Sequence, residues 1–227
     1  MDQVCFTGES SCSSFRGHML KLNFCTNCNK DIVKHKKDVV AKEDLLKALE
    51  YSQKGMMIPS LILPKDDVHG ALYLGGFKTV TNEKFIKEAD VKGVVNTAGK
   101  GLFKFFGPKF ERNYHASIET HHITLKVFEW VDAIRFDIPE SDLSEAVKFI
   151  KEQRKNGAVL VHCAQGKSRS STAVVAYLMT IMKIGWEDAL KFVQERRKMA
   201  DPNMHFRYIL EMFEKSDTLE ALRNSMS

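Results

Sequence analysis

VLVHCAQGKSRSS, from Val159 to Ser171, runs from aliphatic and β-branched residues into a cysteine, then into a glycine, serines and one arginine. AVLVH reads as a buried strand, and SRSSTAVVAYLMTIM as a helix of strongly apolar character. Strand, loop and helix in this order form the corner of an open α/β sheet where ligands collect. The same alternation extends outward. NEKFIKEA (82–89) predicts a helix and VKGVVNTA (91–98) a buried strand. HITLKVFEW (122–130) is strand-like, and IPESDLSEAVKFIKEQRKN (138–156) is helical with Pro139 near its start. A first strand is expected near 71–75, a long irregular stretch from 99 to about 121, and three helices at about 168–183, 186–198 and 203–214. The order predicts an α/β fold with a central, mainly parallel sheet flanked by helices.

Residues before the sheet differ in character. The first 41 are polar, cysteine-containing and basic near KHKK (34–37), KEDLLKALEYSQK (42–54) has partial helical spacing, and MMIPSLILP reads as a linker. The expected organisation is an N-terminal appendage with a short helix (1–60), a compact domain (61–216) and a polar tail (217–227). The formal charge of +5, from 34 basic and 29 acidic residues, is spread along the chain and does not point to nucleic acid as the primary partner. No apolar run approaches the roughly 20 residues of a membrane helix, and the start MDQVCFTGESSCSS lacks a signal-peptide core. The expected location is the cytoplasm, with the nucleus open as a second. Cys5, Cys12, Cys25 and Cys28 lie in the first 28 residues, leaving Cys163 alone in the rest, and a reducing compartment makes a disulfide framework unexpected.

At Cys163 the chemistry of each neighbour converges. Ala164, Gln165, Gly166, Lys167 and Ser168 can curl so that successive N–H groups face inward, with Gly166 permitting a backbone shape other residues resist. With the helix start behind it, such a loop is an anion cradle sized for a phosphate. Arg169 adds a planar fork that matches two phosphate oxygens. The same dipoles and charge favour thiolate over thiol at Cys163, which could then attack a phosphate monoester and form a cysteinyl-phosphate. Ser170 can donate a hydrogen bond to the departing thiolate, and His162 can brace the loop. The opposing reading is a small buried cysteine ending a strand.

HCAQGKSRS resembles the H-C-x-x-G-x-x-R-S signature of the cysteine-dependent protein tyrosine phosphatases, and its surroundings are similar to the dual-specificity branch. ALYLGG, VKGVVNTA and GWEDALKFVQERR resemble that branch's entry strand, second strand and the helix after the signature, over residues 61 to 216. The resemblance implies a protein tyrosine phosphatase-like fold and hydrolysis of phosphotyrosine, phosphoserine and phosphothreonine in protein substrates. It implies no cofactor and no catalytic metal. It also implies a general acid on a movable loop about thirty residues before the cysteine. Among Glu129, Asp132, Asp137 and Glu140, Asp132 stands 31 residues before Cys163, in VDAIRFDIPE.

Alternatives stay open at this level. Lys167 could favour a more highly charged substrate such as a phosphoinositide, or simply help hold one phosphate. GKGLFKFFGPKFERNYH (99–115) interleaves rings with cations. It could be a substrate-facing lip or a nucleic-acid surface, leaving an RNA 5′-phosphate phosphatase as a further reading, or its rings pack while its charges are solvated. A phosphate-binding pseudophosphatase-like module is a third reading. The spacing of Cys25 and Cys28 suits a zinc knuckle that Cys5, Cys12 or His18 could complete. The plant phosphatases of indole-3-butyric-acid response are similar both in such a segment and in the loop. The appendage could equally dock a protein partner.

Overall fold

The computed structural model describes residues 56–225, so the N-terminal helix, the KHKK run and the four N-terminal cysteines lie outside the described residues. The five strands are β1 (Ser60–Leu63), β2 (Leu72–Gly76), β3 (Val91–Asn96), β4 (Thr124–Val127) and β5 (Ala158–Cys163). Their order across the sheet is β1-β2-β5-β3-β4, and only the β1–β2 pair is antiparallel. The mainly parallel sheet expected from the sequence is therefore present. β5 lies at its centre, buried at every position, which is why AVLVHC carries no polar alternation.

Successive β5 side chains point to opposite faces, and this parity sets up the site. Val159 and Val161 join one core, and Ala158 and Leu160 join the other. The first core is built from α4 (Glu140–Arg154), α5 (Arg169–Met182), α6 (Trp186–Arg196), α7 (Met204–Glu214) and α8 (Asp217–Ser225). The second is covered by α1 (Glu83–Glu88), α2 (Gly101–Phe106) and α3 (Pro108–Thr120). Continuing the alternation, His162 falls on the face of α3 and Cys163 on the face of α5. Helix α5 is buried from Arg169 to Thr180, consistent with its apolar composition all round.

Three expectations need correction. MMIPSLILP is not only a linker, because Ser60–Leu63 pairs with β2 as an edge strand. The stretch 99–121, expected to be irregular, holds α2 and α3, separated at Gly107 (φ +83°) with Pro108 opening the second helix. Phe103, Phe110 and Tyr114 pack into the second core while Lys104, Lys109 and Arg112 stay exposed, so the rings are mostly structural. The expected polar tail is a helix from Asp217 to Ser225, with Leu219 and Leu222 in the first core. Arg223 fastens it by donating to the carbonyls of Met179 (3.1 Å) and Ile184 (2.9 Å). Leu222→Ala should therefore lower stability by about 2–4 kcal/mol, the usual cost of emptying a buried leucine site. Urea denaturation checks this, and an unchanged midpoint would return residues 217–225 to the status of a tail.

Candidate active site

The register places the end of β5 between two neighbours: Gly76 of β2 faces Cys163, and Asn96 of β3 faces His162. Beyond Cys163 the chain curls, and the partners of its carbonyls define the curl. Ala164 O accepts from Phe77 N (3.3 Å), Gln165 O from an Arg197 terminal nitrogen (2.8 Å), and Gly166 O from Arg197 Nε (2.6 Å). Lys167 O accepts from Asp201 N (2.8 Å) and Ser171 Oγ (2.6 Å), and Ser168 O from Thr172 N and Oγ1 (both 3.0 Å). Five consecutive carbonyls are thus held from outside the loop. In a planar peptide the N–H points opposite the C=O, so the amides that follow are directed inward. Gly166 N shows the result, donating to Cys163 Sγ at 3.2 Å. Gly166 has φ +71°, and a Cβ there would meet Gly75 O at 2.4 Å and Arg197 at 2.5 Å, so both its conformation and the space demand glycine.

Cys163 lies at the floor of this cradle, 2 % exposed. Ser170 Oγ donates to its sulfur at 3.2 Å. Burial by itself pushes the thiol up, and Asp132 adds to that. The Arg169 charge together with the Ser170 hydroxyl and N–H outweighs both, so the thiol lies below its ordinary value. Arg169 is itself buried, and a terminal nitrogen of its guanidinium donates to Trp130 O at 3.2 Å. Trp130 is anchored in turn by its indole N–H, which donates to Asp142 at 2.8 Å.

His162 braces the loop from the opposite face. A carbonyl can only accept, so the 3.2 Å contact to Cys163 O requires the proton on Nδ1, and Nε2 then accepts from Tyr114 Oη at 2.8 Å. Both partners are in the states this needs. Burial, reinforced by the Arg169 charge, pushes the imidazole down to about 4 against the opposing bond to Cys163 O, so it is neutral. Burial pushes the Tyr114 phenol well above its ordinary value, so it keeps its proton. His162 O is also held, by Thr97 N (2.9 Å) and Thr97 Oγ1 (3.0 Å).

Of the four carboxylates considered as the acid, the fold brings Asp132 to the cradle. Its Oδ1 accepts from Ser168 Oγ (2.8 Å) and Asn203 Nδ2 (3.0 Å), and its Oδ2 stands 3.7 Å from Arg169 Nε. Glu129 is engaged elsewhere, accepting from Lys100 N with both oxygens at the start of α2 (3.0 and 3.1 Å). Asp137 is largely exposed and pairs with His205 (2.6 Å), and Glu140 opens α4. Lys167 pairs with Asp201 (3.3 Å), which also takes Arg207 (2.6 Å), so its charge is met locally.

Three residues of the site were not singled out from the sequence: Arg197, Asn203 and Tyr114. Arg197 also donates to Ile58 O (3.4 Å) and Ser60 Oγ (3.3 Å), so one buried guanidinium joins the back of the loop to the strand entry. Asn203 carries a local signal, since DPN before an apolar helix is a capping pattern, and its Oδ1 does accept from Phe206 N (3.0 Å). Its second bond, to Asp132, has no local signal. Among the described residues no three His, Cys, Asp or Glu side chains gather as a metal-ligand set, and no helix is long and apolar enough to cross a membrane.

A lowered thiol on the floor of a ring of amides, with a fixed guanidinium and one carboxylate at the rim, can bind a phosphate monoester, attack its phosphorus and protonate its leaving group. Comparison with known proteins agrees with that chemistry. Human dual specificity protein phosphatase 22 is 46% identical over 86 residues, 36% of this chain and 47% of its own length, so the match spans about half of that relative. Dual specificity protein phosphatase 1B of Arabidopsis thaliana is 32% identical over 151 residues, covering 66% of this chain and 81% of the relative. The crystal structure of DUSP15 superposes with a TM-score of 0.57 at 28% identity, covering 71% of this chain and 93% of that one. The family model "Dual specificity phosphatase, catalytic domain" matches residues 72–216, which contain Asp132, the whole cradle and Asn203, and with that match the chain belongs to the dual specificity phosphatase catalytic-domain family.

Proposed function

We propose that the protein is a cysteine-dependent protein phosphatase that hydrolyses phosphotyrosine and phosphoserine or phosphothreonine through a cysteinyl-phosphate intermediate. The observation that carries this reading is the set of five outward-bonded carbonyls from Ala164 to Ser168 around the Cys163 sulfur. In the first step Cys163 Sγ forms a bond to phosphorus as the bond to the substrate oxygen breaks. Asp132, protonated, gives its proton to that oxygen. The inward amides and Arg169 hold the equatorial oxygens, where charge is greatest in the transition state. In the second step the Asp132 carboxylate takes a proton from water, the water oxygen bonds to phosphorus, and Cys163 leaves as a thiolate. Ser170 Oγ and Gly166 N, both 3.2 Å from the sulfur, stabilise that departure.

Asp132→Asn separates the acid from the rest of the machinery. Turnover of a phosphoserine peptide, whose alkoxide leaves poorly, should fall by about 10²-fold or more, while an activated aryl phosphate loses far less. Steady-state kinetics on both substrates, with chelator present, checks it. Equal losses on the two would remove Asp132 from the role of acid. The Lys167 ammonium, one of two features that suggested a phosphoinositide or RNA 5′-phosphate substrate, is paired with Asp201, while the cations of the 99–115 lip stay exposed. The proposal places the activity in the cytoplasm or nucleus and gives the N-terminal appendage, residues 1–60, a role in docking a protein partner. Imaging of the tagged full chain in a secretory compartment would overturn that placement.

A further inference from the structure

The cradle is flanked by segments packed on opposite faces of the sheet, and their exposed side chains differ in chemistry. On the side of the second core, Phe77 N bonds to cradle residue Ala164, and the Phe77 ring stacks on Phe106 of α2 at 3.9 Å. Lys78, which follows Phe77 in the chain, and Lys100 and Lys104, at the start of α2 and within it, are exposed. The backbone N–H of Lys100 donates to the carboxylate of Glu129, the neighbour of Trp130, whose carbonyl orients Arg169. Among the described residues no carboxylate is within ion-pair range of these three ammonium groups, in contrast to Lys167, which pairs with Asp201 at 3.3 Å.

On the side of the first core, three large aliphatic side chains are exposed beside the charged Arg135 and Asp137. Val131, Ile134 and Met204 are 55%, 65% and 74% exposed. Val131 adjoins Asp132, and Met204 adjoins Asn203, which donates to Asp132 at 3.0 Å. The Asp137–His205 contact at 2.6 Å ties the same loop to α7 a second time, so the three side chains belong to one braced surface. Three large aliphatic side chains exposed beside the Asp132 loop offer contacts for an apolar group.

We propose that the cleft reads the polypeptide on either side of a phosphorylated residue by contrast: acidic residues against Lys78, Lys100 and Lys104, and a large apolar side chain against Val131, Ile134 and Met204. The inference rests on the protein phosphatase reading and adds the substrate class to it. A peptide chain fits this arrangement because it presents different side chains to the two sides at once. An anionic membrane fits it less well, since the lysines and the aliphatic groups lie on separate sides and the 86%-exposed Asp137 side chain stands beside the aliphatic groups.

The experiment uses the full chain and matched phosphotyrosine peptides, one acidic on one side and apolar on the other, one with both flanks neutral and polar, and one with lysine replacing the acidic residues. Each kcat/KM is divided by that for a small aryl phosphate, which has no flanks. The acidic–apolar peptide should exceed the lysine peptide by about tenfold, and raising the salt to about 0.5 M should shrink that gap. The double variant Lys100→Glu/Lys104→Glu should reverse the charge preference. Ile134→Ser/Met204→Ser should lower the ratio for the apolar-flanked peptide and leave the charge preference in place. Equal normalised rates for all peptides would overturn the inference while leaving the phosphatase reading intact. Binding of the wild type to phosphatidylserine vesicles that disappears in the double glutamate variant would overturn it in favour of a membrane role. Hydrolysis of the aryl phosphate with no phosphopeptide hydrolysed would bring down the protein-substrate reading, and this inference with it.

Discussion

Cys163→Ser should abolish hydrolysis of a small aryl phosphate, with a loss on the order of 10⁴-fold or more, while the fold and the anion site remain. The structure gives the reason for both halves. The groups around Cys163 Sγ lower its thiol and so favour the thiolate, but a serine hydroxyl starts so much higher that the same groups leave it protonated. The cradle is held by Phe77, Arg197, Asp201 and Thr172, none of which touches the sulfur, so it persists in the variant. Inorganic phosphate should then bind Cys163→Ser at least as tightly as the wild type, because the variant no longer sets a thiolate against an anion. The wild type carries a matching pH signature: alkylation by iodoacetamide should have its midpoint below that of an ordinary thiol, since the native environment favours the ionised form. Calorimetry for phosphate and pH-dependent alkylation check these points. Residual turnover near the wild-type level would place the nucleophile elsewhere, and an ordinary alkylation midpoint would mean that burial outweighs Arg169 and Ser170.

Arg169→Lys should cost about 10²–10³-fold in kcat/KM, although the charge is kept. The guanidinium is 7% exposed, oriented by Trp130 O at 3.2 Å, and its Nε lies 3.7 Å from Asp132 Oδ2. A planar fork fixed there can meet two phosphate oxygens at once, whereas an ammonium on a flexible stem meets one and leaves the Trp130 carbonyl without its donor. The alkylation midpoint separates geometry from charge. Arg169→Lys should leave it close to the wild type, and Arg169→Ala should raise it, because the favourable charge near the sulfur is then gone. If Arg169→Lys kept full kcat/KM, the residue would act as a charge alone and the bidentate role would be withdrawn.

Helices α4 to α7 of the first core and the central strand are legible in the sequence because their signals are local. The apolar spacing of IPESDLSEAVKFIKEQRKN, with Pro139 ahead of it, became Glu140–Arg154, and AVLVHC became a strand buried on both faces. GLFKFFGPKFERNYH was read as irregular because Gly107 and Pro108 interrupt it and lysines punctuate the rings. Yet Phe103, Phe106, Phe110 and Tyr114 recur at helical spacing, and the Gly-Pro pair is the joint between two helices rather than a loop. The C-terminal segment was read as a tail because its two buried leucines are outnumbered by polar residues, and a helix that covers a core with one narrow stripe has that composition.

The sequence alone singled out the Cys163 loop as the candidate site. Every residue from His162 to Ser170 is contiguous, and the conformation of that loop follows from a strand end, a glycine that tolerates φ +71° and a helix start. Only the tertiary structure decided what holds the loop and what serves it. Asp132 was one of four carboxylates until Ser168, 36 positions away, and Asn203, 71 positions away, bonded to it. Arg197 meets the loop carbonyls across 31 and 32 positions, and Tyr114 meets His162 across 48. Such bonds form only after strands from distant parts of the chain have paired and brought their ends together, so no local pattern of residues encodes them.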